Sequence, residues 1–331
     1  EPNSAQSILD NHYGDCKDHV VILEALLAAK GIASTPVLIG AGGGPTLPAL
    51  PVLGRFNHAI TYVPEFDLYL DSTSQFARFG QLPEGDLGAP VLHTVDGRLG
   101  RTPGNDVANN ASASSARFVF RDNGDVDGET TLVPGNVAEI AMRSAFTRLT
   151  TQNLARVEQS LMASSGLDGQ GRLQLLGSPQ DLRAPFNYRF DFKAQDVVDF
   201  SVQGGMALPD VPGAESFRDI YATTSAPTNQ TPFYCTASLR EETYQLQFPA
   251  HVPIIAIPRS MQFSNAAGDY VMEWSRQGQV VTAHHRLLQH ALRGEGQVCQ
   301  PQDYPAFREL YQQVRRGFRG QVLYGDLGGA A

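Results

Sequence analysis

No run of eighteen apolar residues occurs in this 331-residue chain, so no segment of it reads as a transmembrane helix. The opening Glu1-Pro2-Asn3 is unlike a signal peptide, so any targeting segment would lie outside this sequence. Basic residues are scarce: 25 Lys and Arg against 34 Asp and Glu give a formal net charge of −9. A phosphate backbone selects basic patches, which argues against nucleic acid as a partner. Cysteine is scarcer still, with three, at positions 16, 235 and 299. The length exceeds what one small core requires and suggests two domains.

What is present is organised around Tyr13-Gly14-Asp15-Cys16-Lys17-Asp18. From His19 to Lys30, Val20, Leu23, Leu26 and Leu27 recur at helical spacing, Ala and Glu fill the intervals, and Gly31 is the stop. The helix therefore starts at the cysteine, with Asp15 or Asp18 to cap it. Unpaired N–H groups and the positive end of the macrodipole meet there and favour a thiolate over a thiol. An isolated cysteine is more often an inert buried residue, and two later stretches shift that balance. Phe56 to Val63 alternates and is rich in β-branched and aromatic residues, a strand beginning near His58. Leu68-Tyr69-Leu70-Asp71-Ser72-Thr73 follows after Pro64-Glu65-Phe66-Asp67, a hairpin connection that would bring His58 and Asp71 together. In such a set the imidazole takes the thiol proton and the carboxylate fixes its tautomer.

Gly-Asp-Cys-Lys-Asp opening a helix, His58-Ala59 and Leu70-Asp71-Ser72-Thr73, in that order, resemble the bacterial transglutaminase-like superfamily within the papain-like cysteine enzymes. The resemblance covers roughly residues 5 to 80. It implies Cys16 as nucleophile, His58 as general base and acid, and Asp71 as orienting carboxylate, with no cofactor or metal. Family members carry further helical sequence before the cysteine, so with fifteen residues there the chain reads as a fragment, short at its N-terminus. The Cys16 N–H supplies one oxyanion donor.

Gly40 to Pro51, rich in Gly and Pro, cannot extend the strand expected at Thr35 to Ile39 and forms a loop that could gate the cleft. Neither its spacing nor a following helix matches a phosphate-binding loop. Thr102 to Ser115 loses apolar periodicity and marks the domain boundary. The domains are then a catalytic core over 1–101, a linker over 102–116, and a β-rich domain over 117–331. Asn123, Asp125, Asp127 and Gly128 copy half of a calcium loop, but Pro134 stands where its bidentate Glu belongs, so the stretch reads as a turn. Val137 to Ala163 reads as a helix, and Tyr188 to Val281 as strands arranged in a β-sandwich. His284, His285 and His290 lack ligand spacing and read as structural. Tyr304 to Arg319 is an amphipathic terminal helix docked on the β region.

This order of a transglutaminase-like core, a strand-rich region and a terminal helix resembles bacterial envelope proteins that carry a further β domain upstream. That resemblance implies periplasmic or cell-envelope location, where oxidation is permitted. With Cys16 as nucleophile, Cys235 and Cys299 are expected to pair and tie the last helix to the β region; two separate buried thiols are the alternative. The expected fold is α+β: a partial papain-like transglutaminase core plus a β-sandwich-like domain with a C-terminal helix. The expected function is cysteine-dependent acyl transfer on a peptide or glutamine-type amide, as hydrolase or transglutaminase, with a peptide or protein substrate. The alternative is a non-enzymatic binding or assembly module on the same scaffold.

Overall fold

Asp15 starts the helix that matters most. Its carboxylate accepts from the N–H groups of Lys17 (2.9 Å) and Asp18 (3.3 Å), while Asp18 accepts in return from the Asp15 N–H (3.1 Å). This reciprocal cap makes Cys16 the first residue of α2, Cys16–Ala28. It follows a short α1, Ala5–Asn11, and the chain leaves it through Gly31 at φ 75°. The computed structural model describes residues 2–42, 52–214, 224–292 and 298–325.

Next come β1 (Thr35–Ile39), β2 (His58–Val63), β3 (Leu68–Leu70), β4 (Pro90–His93) and β5 (Leu99–Arg101), an antiparallel sheet in the order β3-β2-β1-β4-β5. Val37, Ile39, Ile60, Tyr69 and Val91 form its core, and α2 packs on β2. A single 3-10 turn at Pro64–Phe66 joins β2 to β3, with Asp67 left-handed at φ 47°. Most of the glycine-rich stretch expected to gate the cleft, 43–51, lies outside the described residues.

The β-rich region opens with β6 (Ala111–Phe120) and β7 (Val126–Val133). Residues 111–116, expected in the linker, are thus strand. Ser112, Ala113 and Ser114 line one cavity with Ala138 and Met142, while Ala113 and Ser115 are exposed. The calcium-like stretch is a turn, closed by the Arg121 N–H on the Asp125 carbonyl at 2.8 Å. The expected single helix is two, α3 (Asn136–Thr147) and α4 (Thr151–Ser164), because Thr150 and Asn153 build a second capping box.

There follow β8 (Gly169–Leu175), β9 (Tyr188–Ala194), β10 (Gly204–Ala207), β11 (Phe233–Tyr234), β12 (Ser238–Gln247) and β13 (Ile254–Ala256). The chain continues through β14 (Met261–Asn265), β15 (Gly268–Gln277), β16 (Val280–Gln289), β17 (Val298–Cys299), α5 (Tyr304–Phe318) and β18 (Gln321–Tyr324). Eight strands form one sheet, β14-β15-β16-β12-β6-β7-β9-β8, in which β12 and β6 alone run parallel. Period-two alternation gives it one apolar face, carrying Phe118, Phe190, Leu246, Tyr270 and Met272. The other face carries ion pairs such as Arg286–Glu241 at 3.3 Å.

This arrangement corrects the expected sandwich. The apolar face is covered chiefly by helices, α5 through Phe307, Leu310, Val314 and Phe318 and α3–α4 through Phe146, Leu154 and Met162. The second sheet, β10-β18-β13, has only three strands. Alternation along each strand announced one buried face but not what lies against it. Cys235 and Cys299 are disulfide-bonded across the β11–β17 pair, just before α5. His285 is buried and stacked on Phe318 at 4.4 Å, and burial pushes it down to about 3. Its neighbour His284 bonds Thr243, and His290 lies 3.4 Å from Asp269.

Candidate active site

Three elements converge at one end of the first sheet. Cys16, half-buried and the chain's free cysteine, opens α2. Of the N–H groups in that first turn, those of Lys17, Asp18 and His19 all go to Asp15, and no acceptor among the described residues takes the Cys16 N–H. Asp18 also anchors the preceding chain through the Asn3 backbone (2.7 Å) and side-chain (3.0 Å) amides, which hold its carboxyl below the usual range. His58 is the first residue of β2. Extending the β2–β3 register of Thr61 with Leu70 puts residue 73 opposite residue 58, so the imidazole meets the turn after β3.

There His58 Nε2 lies 3.2 Å from Asp71 Oδ2. The second oxygen of Asp71 accepts from the Thr73 hydroxyl at 2.6 Å and the Thr73 N–H at 2.9 Å. The turn is bonded back to the helix: His19 Nδ1 is 2.9 Å from the Ser72 carbonyl, and the Ser72 hydroxyl donates to the His19 carbonyl at 3.3 Å. Helix and carboxylate are therefore held as one unit. Asn57, beside His58, brackets Ala41 with two bonds of 2.8 Å and so fixes the exit from β1.

The electrostatics follow from these contacts. Asp71, then Cys16, raise His58 to about 9 against the opposing effect of burial, so the imidazole is cationic at neutral pH. Burial alone would raise Asp71, but the bonds from His58 and Thr73 outweigh it and bring the carboxyl to about 2. Asp67, at the turn of that hairpin, instead accepts from the Tyr62 hydroxyl at 2.8 Å.

A fourth group was not visible in the sequence. Asp86, in a 3-10 turn before β4, is 2% exposed. Burial first, then Asp71, pushes its carboxyl up to about 7. The donor atoms of His58, Asp71 and Asp86 all lie within 4.8 Å of one another. Such a trio could gather a cation, but Nε2 of His58 and both oxygens of Asp71 are already engaged in hydrogen bonds. Pro83-Glu84-Gly85-Asp86 matches no motif, and nothing in its spacing signals the contact.

Between this end of the molecule and the β-rich region runs a buried ion pair. Glu139 on α3 accepts from Arg78 Nε (3.0 Å), from Arg143 Nη2 (2.6 Å) and Nε (2.8 Å), and from the Phe186 N–H (3.1 Å).

A family model described as a domain of unknown function with a solved structure, DUF3858, matches residues 206–324, from β10 to β18. No curated protein matches the chain. Among solved structures, a candidate protease from Parabacteroides distasonis has a TM-score of 0.51 and 12% sequence identity over 97% of this chain and 46% of its own. The chain thus spans less than half the length of that relative. At this identity the likeness is one of fold: a mixed α+β architecture dominated by sheet, in which no described helix is long and apolar enough to cross a membrane.

Proposed function

We propose that the protein is a cysteine-dependent acyl-transfer enzyme of transglutaminase-like architecture, acting on a peptide or glutamine-type amide through a Cys16 thioester. The observation that carries this reading is the His58–Asp71 pair, with Nε2 at 3.2 Å from the carboxylate, together with Cys16 at the helix start acting on the same imidazole. Asp71 occupies Nε2, which leaves Nδ1 to exchange the proton with Cys16. The cationic imidazole and a thiolate form the resting pair. The thiolate sulfur attacks the amide carbon; the Cys16 N–H, which no acceptor among the described residues takes, stabilises the oxyanion. As the C–N bond breaks, His58 gives its proton to the leaving amine. Water or an amine then attacks the thioester, surrenders a proton to His58, and releases the product and the thiolate. A positioned acid and base of this kind supplies on the order of 10²- to 10⁴-fold.

The fold likeness to a candidate protease supports a peptidase-like chemistry for this site. The Cys235–Cys299 disulfide supports a periplasmic or envelope location. The division into a catalytic core over 1–101 and a β-rich domain from 117 remains part of this proposal, with the boundary drawn back to the start of β6. The test is a peptide library incubated with wild type and with Cys16→Ala, read by mass spectrometry for cleaved or amine-exchanged products. Products are expected with wild type alone, and turnover by Cys16→Ala would refute the assignment.

A further inference from the structure

Two backbone bonds hold Asp86 in place: its N–H donates to the Pro83 carbonyl at 3.0 Å, and its carbonyl accepts from the Thr102 hydroxyl. The residue is 2% exposed, and Oδ2 has no hydrogen-bond partner among the described residues. A buried carboxylate in that position would be uncompensated, whereas a buried carboxylic acid beside Asp71 has an acceptor for its proton. The charged groups that act on Asp86 are Asp71, from the turn after β3, and His58, from β2.

We propose that Asp86 is a positioning residue that works through Asp71: protonated, it donates a hydrogen bond to Asp71; ionised, it adds a second negative charge behind His58. It thereby sets how much of the Cys16–His58 pair exists as thiolate and imidazolium. Two close, buried carboxylates do not both ionise freely, so the proton stays on the one without a cationic partner, which is Asp86. While it stays, Asp71 divides its charge between two donors and holds the imidazolium less firmly. When it leaves, the imidazolium is favoured and the thiolate with it. Burial brings that loss close to neutral pH, with Asp86 at about 7. The inference rests on the proposed nucleophilic role of Cys16 and deepens it.

The test is the rate of Cys16 alkylation by iodoacetamide against pH, for wild type and Asp86→Asn, with EDTA present so that no cation gathered by the trio contributes. Cys16 is the free thiol, so the label reports it alone. Wild type is expected to rise in two ionisations. Asp86→Asn, which keeps a hydrogen-bond donor but cannot ionise, is expected to show one and to react about tenfold more slowly between pH 7 and 9, where the thiolate fraction still depends on His58. A carboxyl ¹³C titration of Asp86 in wild type decides the matter even if the variant misfolds: a transition near neutral supports the proposal, and one in the ordinary carboxylate range overturns it. A variant profile superimposed on a fast wild-type profile overturns this inference alone. A wild-type Cys16 no more reactive than an unfolded thiol overturns both this inference and the thioester mechanism.

Discussion

Asp71→Asn changes one atom and tests the centre of the site. Asp71 is 5% exposed at its side chain and makes the 3.2 Å contact that holds His58 as imidazolium. Raising the imidazole from its ordinary 6.5 to about 9 corresponds to about 3 kcal/mol favouring the cation, at 1.36 kcal/mol for each factor of ten. Asparagine can still accept the two Thr73 bonds through its oxygen, but toward His58 it presents an N–H. That donor needs a lone pair on Nε2, so the proton moves to Nδ1, the nitrogen that must receive the Cys16 proton. The expected outcome is a His58 titration below 7 and a loss of turnover on the order of 10³- to 10⁴-fold with the fold retained. The linked stability has a definite window. A raised imidazole stabilises fully below pH 6.5 and loses that contribution as pH rises through 9; the depressed carboxyl stabilises above 3.8 and loses it as pH falls through 2. Wild type should therefore exceed Asp71→Asn most between these limits and converge with it above about pH 9. The assay is ¹H–¹³C NMR of the imidazole, assigned with His58→Gln, alongside urea melts at several pH values. A His58 that still titrates above 8 in Asp71→Asn would refute the reasoning.

Glu139→Gln should destabilise by about 3 to 5 kcal/mol, because Arg143, fully buried, loses its countercharge; Arg78→Ala, at 28% exposure, should cost no more than about 1 kcal/mol. Urea midpoints separate these outcomes, and a near-neutral Glu139→Gln would mean the buried pair is not held as described. Unfolded, unreduced protein should take up one equivalent of alkylating agent. Cys235→Ser/Cys299→Ser should lose up to about 4 kcal/mol, the chain-entropy figure for a 64-residue separation. Three alkylated thiols in unreduced wild type would remove the bond.

The placement of Cys16, His58 and Asp71 was legible because each is set by local rules: a capping box, a strand start, a tight hairpin. Asp86 was not, since its character comes from burial against residues that lie apart in the chain. The break at Thr150 had a local signal in Thr150 and Asn153, overridden in the reading by an apolar stripe that runs on through both helices. Ala111 to Ser115 read as linker in the sequence because small residues lack hydrophobic periodicity. They are strand nonetheless, paired with β12 throughout and with β7 from Ala113 onward. Strand propensity predicted many strands correctly but carries no information about partners, and so could not distinguish a sandwich from one wide sheet under helices.

The parallel contact between β6 and β12 divides that wide sheet into two antiparallel blocks, each drawn from its own stretch of the chain. Ala111 meets Leu239, 128 positions later. Closing a loop of that size costs roughly 4 kcal/mol of chain entropy before any contact is gained. Each block can zip from its own turns at small cost, so the seam is the step that waits for both, and pulse-labelled hydrogen exchange should find it the last to gain protection. The match over 206–324 takes in the β12–β16 side and stops short of the β6–β9 side. In folding terms the seam is where two halves of one sheet are expected to dock.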